Sequence, residues 1–406
     1  MVIYWNYFKE LKFYQQLFLF ASALLLVGLS TSPALMSIGC GGILLSFLIN
    51  WKELKINLLK LKNPIFLIIS LYFLHFLHSF EQTNSHQLWI ELRIKLPFLL
   101  IPLGFLGYKY NTKDFLILSF FFLISLFIVT FLTLLNYLVN FEEMNNRILE
   151  SKEIPVFTKV THIYFSVMLA FGVFLSYFIA KNFFIKIYYY LSIFLLICLH
   201  LFTSRTGLVG FYFAILFYAI FYLLKRKEYL VKNTIILISI CLLPFVAYWL
   251  MPSFQNRIQN TVEDIQRYRK GLDINHRSVS MRLVTWEMGY EAFTKNPWFG
   301  VGMENIADKI HEEYQIHQVP LKKENWLNDL HNQYFEYLLG LGIVGFTIFV
   351  FWLIYPIFVN QNEIFLLFMG LFIGAMLAES ILERQVGVCF GLFWYYFLFN
   401  FRSDEI

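Results

Sequence analysis

The sequence predicts an all-α, polytopic membrane protein: about twelve transmembrane helices and one long outer loop that contains short helices. Three observations predict it. Of 406 residues, 59% are hydrophobic and only 15% are charged, whereas soluble domains sit near half apolar with about a quarter charged. Apolar runs of about 20 residues recur along the whole chain, and a membrane β-barrel would show alternation instead. Lysine and arginine also partition unevenly between alternate loops, as the two sides of a membrane require.

Taken in order, the expected spans are roughly 17–30, 34–50, 64–80, 88–107, 115–138, 163–180, 186–202, 207–224, 233–251, 333–359, 363–380 and 386–401. The first two share the break Ser30-Thr31-Ser32-Pro33 and are short for a ~30 Å hydrocarbon core. Lys9 and Lys12 before the first run mimic a signal peptide. No convincing cleavage site follows and apolar segments continue at once, so this is read as an uncleaved first span. With the N-terminus inside, fifteen Lys/Arg fall in inner segments and five in short outer loops: Arg147, Lys152, Lys159, Arg205 and Arg384. The opposite orientation would invert the positive-inside rule.

The chain therefore divides into helices one to nine (1–251), a hydrophilic outer loop (252–332) and helices ten to twelve (333–406), in one integrated membrane domain. Long loops translocate largely regardless of charge, and this one is nearly balanced in acids and bases, so it is no polyanion-binding tail. The net charge of +5 is spread over short loops, and no nucleic-acid partner is expected. Within the loop, Leu283, Trp286, Tyr290 and Phe293 recur at helical intervals, predicting an amphipathic helix over Ser280–Phe293. Asn296-Pro297 would end it, and the tryptophans 286, 298 and 326 argue against disorder. Cys40, Cys198, Cys241 and Cys389 lie inside apolar runs without metal-type spacing and read as small buried hydrophobes.

The residues able to do chemistry are few and collect on the outer side. His331 opens His-Asn-x9-Gly-x2-Gly (His331, Asn332, Gly342, Gly345), where the long loop meets the tenth span. An imidazole can take a proton near neutral pH; Asn332 can orient a substrate or cap the helix; glycines at this spacing allow a neighbouring helix to approach. The bland alternative is an interfacial histidine above an ordinary packing helix. Arg205 sits in Ser204-Arg205-Thr206-Gly207. It is either an arginine snorkelling from a helix end or, with the hydroxyl of Ser204, a phosphate ligand. Arg282 opens Arg-x3-Trp-x10-Pro-x2-Gly-x-Gly (Arg282, Trp286, Pro297, Gly300, Gly302), where a flat Trp286 beside an arginine suits a sugar face beside a phosphate. Arg93 and Lys95 lie one to two turns into the fourth span, and intramembrane charges default to a functional hypothesis. They form a cationic funnel or simply snorkel. His162, at the outer end of the sixth span, is a further substrate-contact candidate. His75 and His78 alone do not make a metal site. Glu379 and Glu383 form an i,i+4 pair that either binds sugar hydroxyls or, the favoured reading, meets loop cations. No Gly-rich phosphate loop, dinucleotide fingerprint, His-Glu-x-x-His helix or local acidic cluster occurs. No cofactor and no metal are therefore expected, and arginine would neutralise charge where a metal does elsewhere.

The His-Asn-x9-Gly-x2-Gly pattern, with the upstream Arg-x3-Trp and Pro-x2-Gly-x-Gly, resembles the signature of bacterial O-antigen ligases and the related O-antigen and exopolysaccharide polymerases. The likeness is strongest over about 200–350; elsewhere it is one of topology. The resemblance implies an enzyme of the bacterial inner membrane, with its site facing the periplasm. It would transfer a glycan from undecaprenyl diphosphate to a sugar hydroxyl, inverting the anomeric centre without a metal. The acceptor would be the lipid A core (ligase) or another lipid-linked glycan (polymerase), with membrane lipids as neighbours. By motif position, His331 would be the general base, and Arg205 and Arg282 would hold the diphosphate and stabilise its departure. A transporter should instead show internal repeats and mid-membrane polar breaks, and a scaffold would not explain three motifs on one side.

Overall fold

A computed structural model describes residues 2–51, 64–78, 85–108, 110–149, 152–202, 204–225 and 252–401, with isolated positions between 238 and 249. No strand occurs among the described residues. In chain order the helices are α1 (Val2–Glu10), α2 (Phe13–Thr31), α3 (Pro33–Ile49), α4 (Ile65–His78), α5 (Ser85–Lys95), α6 (Pro97–Leu106), α7 (Thr112–Val139), α8 (Phe141–Leu149), α9 (His162–Phe183), α10 (Ile187–Phe202) and α11 (Arg205–Lys225), followed by α12 (Pro252–Arg269), α13 (Ser278–Lys295), α14 (Ile306–Ile316), α15 (Gln333–Val359), α16 (Glu363–Ala378) and α17 (Gln385–Asn400).

Among the described residues five helices are long and apolar enough to cross a membrane: α2, α7, α9, α11 and α15. The other expected spans fall on shorter apolar helices, and the ninth (233–251, with Cys241) lies largely outside the described residues. The fourth needs correction. It is two helices, α5 and α6, parted at Leu96. Pro97 opens the second, at a helix start where its missing N–H costs no helical bond. Cys40, Cys198 and Cys389 are buried free thiols.

The centre of the bundle is α9, whose apolar stretch is 89% buried. Aromatic rings from several helices meet there, such as Phe171 against Trp394 at 4.8 Å. Helices α11 and α16 run antiparallel in close contact: a Cβ on Gly210 would strike Leu371, and one on Gly370 would strike Ala214. Gly207 likewise meets the backbone of Ser166 on α9. Small residues permit this approach where lipid offers no hydrophobic drive for association.

The long loop folds as α12, α13 and α14, joined by short turns. Ser278–Lys295 covers the amphipathic helix expected from the sequence, but the packed face differs. Ser280, Val284, Thr285, Met288, Gly289 and Ala292 are buried, Trp286 and Phe293 are half-buried beside them, and Tyr290 is exposed.

Helix α15 is broken at Gly342, which adopts φ 64° and ψ −171°. The turn Pro297–Gly302 fills the break. Val301 and Gly302 donate to the carbonyls of Leu339 and Gly340 at 3.0 and 2.9 Å, and Ile343 and Val344 donate back to those of Pro297 and Trp298 at 2.9 and 3.2 Å. Buried backbone groups released by a break must find partners, and the turn supplies them. Gly342 thus seats a loop rather than the neighbouring helix its spacing predicts, and Gly345 packs on Leu341 of its own helix. A Cβ on Gly342 would lie 2.4 Å from the Trp298 carbonyl, and its φ is one that L-residues avoid. Gly342→Ala should therefore destabilise the detergent-solubilised protein by at least about 2 kcal/mol. Gly41→Ala, in α3 with nothing within 4 Å of the new Cβ, should not. Thermal melting of the two variants side by side decides it; equal melting temperatures would remove the break from the account.

Candidate functional site

The C-terminal end of α16 gathers the charged residues. Glu379, the residue after the helix, is 8% exposed at its side chain and accepts from Nδ1 of His331 at 2.8 Å. Its other oxygen lies 3.5 Å from the Arg282 guanidinium. Arg282 also donates to the carbonyl of Ala378 at 2.9 Å, a last-turn carbonyl left without a helical partner. Three distant segments thus meet at one carboxylate: α13, the strand of chain before α15, and the end of α16.

Burial acts to raise the carboxyl pKa of Glu379, but the hydrogen bond and charge of His331, with the charge of Arg282, outweigh it and hold it below its ordinary value. An ionised carboxylate only accepts. The proton of the His331–Glu379 bond therefore sits on Nδ1, which leaves Nε2 as the basic nitrogen. Asp329 stands on the same side, its Oδ1 3.2 Å from Nδ1 and accepting the backbone N–H of His331 at 3.1 Å. Burial, only partly offset by His331, pushes its carboxyl up. That local bond supports the left-handed backbone of His331, φ 48°. A strained non-glycine residue of this kind persists only where its surroundings over-determine it.

Asp329, His331 and Glu379 each offer one ligand atom within 4.8 Å of the others, a geometry that could hold a metal ion. Sequence spacing did not reveal this group, since its members lie up to 50 positions apart. The donor set fits a cation poorly. Glu379 is already engaged by His331 and by Arg282, and Arg282 fixes a charge beside the position a metal would take.

The other candidates are placed as follows. Trp286 donates from its indole N–H to the carbonyl of Leu330 at 2.7 Å, so it positions the residue before His331. Asn332 caps α15, accepting from Tyr334 and Phe335 at 3.1 Å, and its amide reaches Leu377 at 3.2 Å. Arg205 is the first residue of α11 and half-buried. The antiparallel register of α11 on α16 puts it at the same end as Glu379. Ser204 beside it is buried, its hydroxyl accepting from Ser166 at 2.9 Å. His162 opens α9 and lies 3.8 Å from Glu153.

Arg93 and Lys95 do not form a funnel. Two apart on a helix, they point away from each other: Arg93 is exposed, while Lys95 is 1% exposed and donates to the Leu382 carbonyl at 2.7 Å and Glu383 at 2.6 Å. Glu379 and Glu383 are likewise not a pair on one helix. Helix α16 has ended and a 3₁₀ turn, Ile381–Glu383, intervenes, so each meets its own cation.

Two supporting residues escaped the sequence reading. Glu336 is buried and accepts from the Leu330 N–H at 2.8 Å and the Ser380 hydroxyl at 3.1 Å, tying together the two segments that carry His331 and Glu379. Gln333 accepts from the Leu382 N–H at 2.6 Å and donates to Glu383 at 3.0 Å. A carboxylate one turn inside an apolar span was the available signal for Glu336.

The fold and this polar end define a multi-pass helical membrane protein with a histidine–carboxylate–arginine constellation where its helices end. Residues 190–350 match the family model described as O-antigen ligase, so the chain carries an O-antigen ligase-related domain. Arg205, Arg282, Trp286 and His331 fall inside the match; Glu379 falls beyond it. An uncharacterised protein of Haemophilus influenzae is 31% identical over 137 residues, covering 32% of this chain and 33% of that protein. The matched stretch thus spans about a third of the relative's length.

Because the fold depresses the Glu379 pKa, its pairing contributes stability that is complete above the ordinary value of 4.5 and is lost as pH falls through the folded value. Melting temperatures of wild type and Glu379→Gln between pH 7 and 3 should converge at the acid end, with the wild type higher near neutrality. Parallel curves would contradict the assigned ionisation.

Proposed function

We propose that the protein transfers a glycan from undecaprenyl diphosphate to an acceptor sugar hydroxyl at the periplasmic face of the bacterial inner membrane. It is read as an O-antigen ligase-type glycosyltransferase with the lipid A core as acceptor. The observation that carries this reading is the Arg282–Glu379–His331 constellation, built on an O-antigen ligase-related domain. The periplasmic placement follows from the bias of Lys and Arg toward the opposite loops, with twelve spans and residues 252–332 as the outer segment.

In this mechanism Glu379 orients His331 through Nδ1, and Nε2 takes the proton of the acceptor hydroxyl as its oxygen attacks the anomeric carbon. The new bond from carbon to acceptor oxygen forms as the bond to the diphosphate oxygen breaks, on the opposite face, so the anomeric centre inverts. Undecaprenyl diphosphate leaves as the anion, its charge met by Arg282 and Arg205. Arginine suits this because its fork binds two phosphate oxygens at once, and the N-terminal end of α11 adds partial positive charge beside Arg205. Trp286 and Asn332 hold the backbone around the base, and the reaction needs no metal. Arg93, exposed near the same end, and His162 are left as outlying contacts for the lipid-linked substrates.

The test is made in cells lacking their own ligase, following polymer on lipid A core and lipid-linked polymer together. Wild type should transfer polymer, and His331→Ala should abolish transfer while donor accumulates. Dependence of long lipid-linked polymer itself on His331 would make the protein a polymerase, and a His331→Ala variant equal to wild type in both readouts would sink the reading. In membranes, Arg282→Lys should lower the rate on the order of a hundredfold, corresponding to about 3 kcal/mol for one charge-stabilising donor. A chelator should leave the wild-type rate unchanged; loss of activity that a divalent metal restores would reassign Asp329, His331 and Glu379 as ligands.

A further inference from the structure

Helix α13 carries more than Arg282. Along one flank lies an open cleft of about 520 Å³ lined by Leu283, Trp286, Glu287, Met288, Tyr290 and Glu291, with Tyr268 from the end of α12 and His317 just after α14. Tyr290 is 57% exposed. Large aromatic groups normally mark the packed face of an amphipathic helix; here Trp286 and Phe293 are half-buried against the core, and Tyr290 is left exposed beside them. Tyr268 donates its hydroxyl to Glu287, which fixes one ring at the cleft wall. The cleft adjoins the transfer site through Trp286, whose N–H holds the carbonyl preceding His331. From Arg282 to Tyr290 the helix advances about 12 Å at 1.5 Å per residue, room for two sugar rings beyond the reacting one.

We infer that this cleft is a binding subsite for the glycan chain of one of the two substrates, next to the sugar that reacts. Three aromatic faces offer the flat apolar surface that the C–H face of a pyranose covers, and aromatic side chains present it at low entropic cost. Carboxylates and an imidazole between them accept from and donate to the ring hydroxyls. A lipid tail would find two carboxylates in its path, and a polyanionic chain would be repelled by them, so the occupant is a neutral or weakly charged oligosaccharide. The inference rests on the reading of His331 and the arginines as a glycan-transfer site.

The experiment uses the full-length protein in nanodiscs and saturation-transfer NMR with two soluble probes. One is the delipidated core oligosaccharide released from lipopolysaccharide by mild acid. The other is the oligosaccharide repeat unit released from the lipid-linked donor. Wild type should saturate at least one probe. Tyr290→Ala and Glu291→Gln should each weaken that signal at least fivefold, while Lys309→Ala, a change on α14 outside the cleft lining, should not. Tyr290 is exposed, so its loss leaves the packed face of α13 intact, and monodisperse elution checks this. Signal from the core oligosaccharide assigns the cleft to the acceptor, and signal from the repeat unit assigns it to the donor. Silence of both probes, or equal signals from wild type and Tyr290→Ala, overturns the inference. The cellular transfer assay separates the two ideas. Transfer without cleft binding removes the subsite and keeps the enzyme, whereas cleft binding without any transfer does the reverse.

Discussion

The carboxylate of Glu379 is the interaction on which the polar end of this protein depends. A carboxylate this buried is costly unless paired, and its two partners come from segments far apart in sequence. His331 takes one oxygen and Arg282 approaches the other, so placing one side chain places both. Removing it would leave two cationic or basic groups facing each other at a half-buried helix end. A second carboxylate, Glu336, stands beneath and joins the backbone before His331 to the hydroxyl after Glu379. The Lys95–Glu383 pair, with Gln333, then anchors the chain that links α16 to α17. The site is thus a stack of satisfied polar groups, and each layer limits the movement of the one above it.

Membrane dimensions account for the broken helix beneath it. Helix α15 has 27 residues, about 40 Å of length, whereas the hydrocarbon core is ~30 Å. Beyond Gly342 the remaining 17 residues (343–359), about 26 Å, reach the lower end of the range that spans. The segment above it is free to belong to the polar end. Non-helical backbone at such depth is tolerated only where protein satisfies it, and the Pro297–Gly302 turn does so through four backbone hydrogen bonds. The two glycine motifs, 40 positions apart, are one device that fixes the height of His331 relative to the bilayer-spanning part.

Much of this was legible in the chain and some was not, for identifiable reasons. Apolar runs located most helices, because burial in lipid leaves little freedom in composition. The Leu96-Pro97 break was missed because a run of apolar residues looks the same whether one helix or two carry it. Arg205, Arg282 and His331 stood out because charges are scarce beside membrane segments. Their partner Glu379 was set with Glu383 by spacing alone, since no one-dimensional pattern shows that a helix ends between them. Lys95 looked like a ligand for substrate and proved to be held by Glu383; an intramembrane cation and its counter-ion 288 positions away leave no shared local signal. The helix around Trp286 was visible from its period, and its packed face is centred to one side of the residues that showed the period. Val284, Met288 and the small residues Gly289 and Ala292 pack it, Trp286 and Phe293 lie half-buried at the edge of that face, and Tyr290 is left outside.

On the proposed reading, the same carboxylate links donor arrival to the positioning of the base. With the diphosphate absent, Arg282 shares Glu379 with His331, so the carboxylate divides its charge between two partners. A diphosphate binding Arg282 competes for that guanidinium with more negative charge and better fork geometry than a single carboxylate offers at 3.5 Å. As Arg282 turns to the phosphates, Glu379 acts on His331 alone. An unshared anion at Nδ1 holds the ring in the tautomer and orientation that aim Nε2 at the acceptor. The base is then held by an undivided carboxylate when the donor is in place and an acceptor hydroxyl has an anomeric carbon to attack. A site with a lone histidine would have no such ordering. The shared carboxylate obtains it from charges already needed to hold the fold.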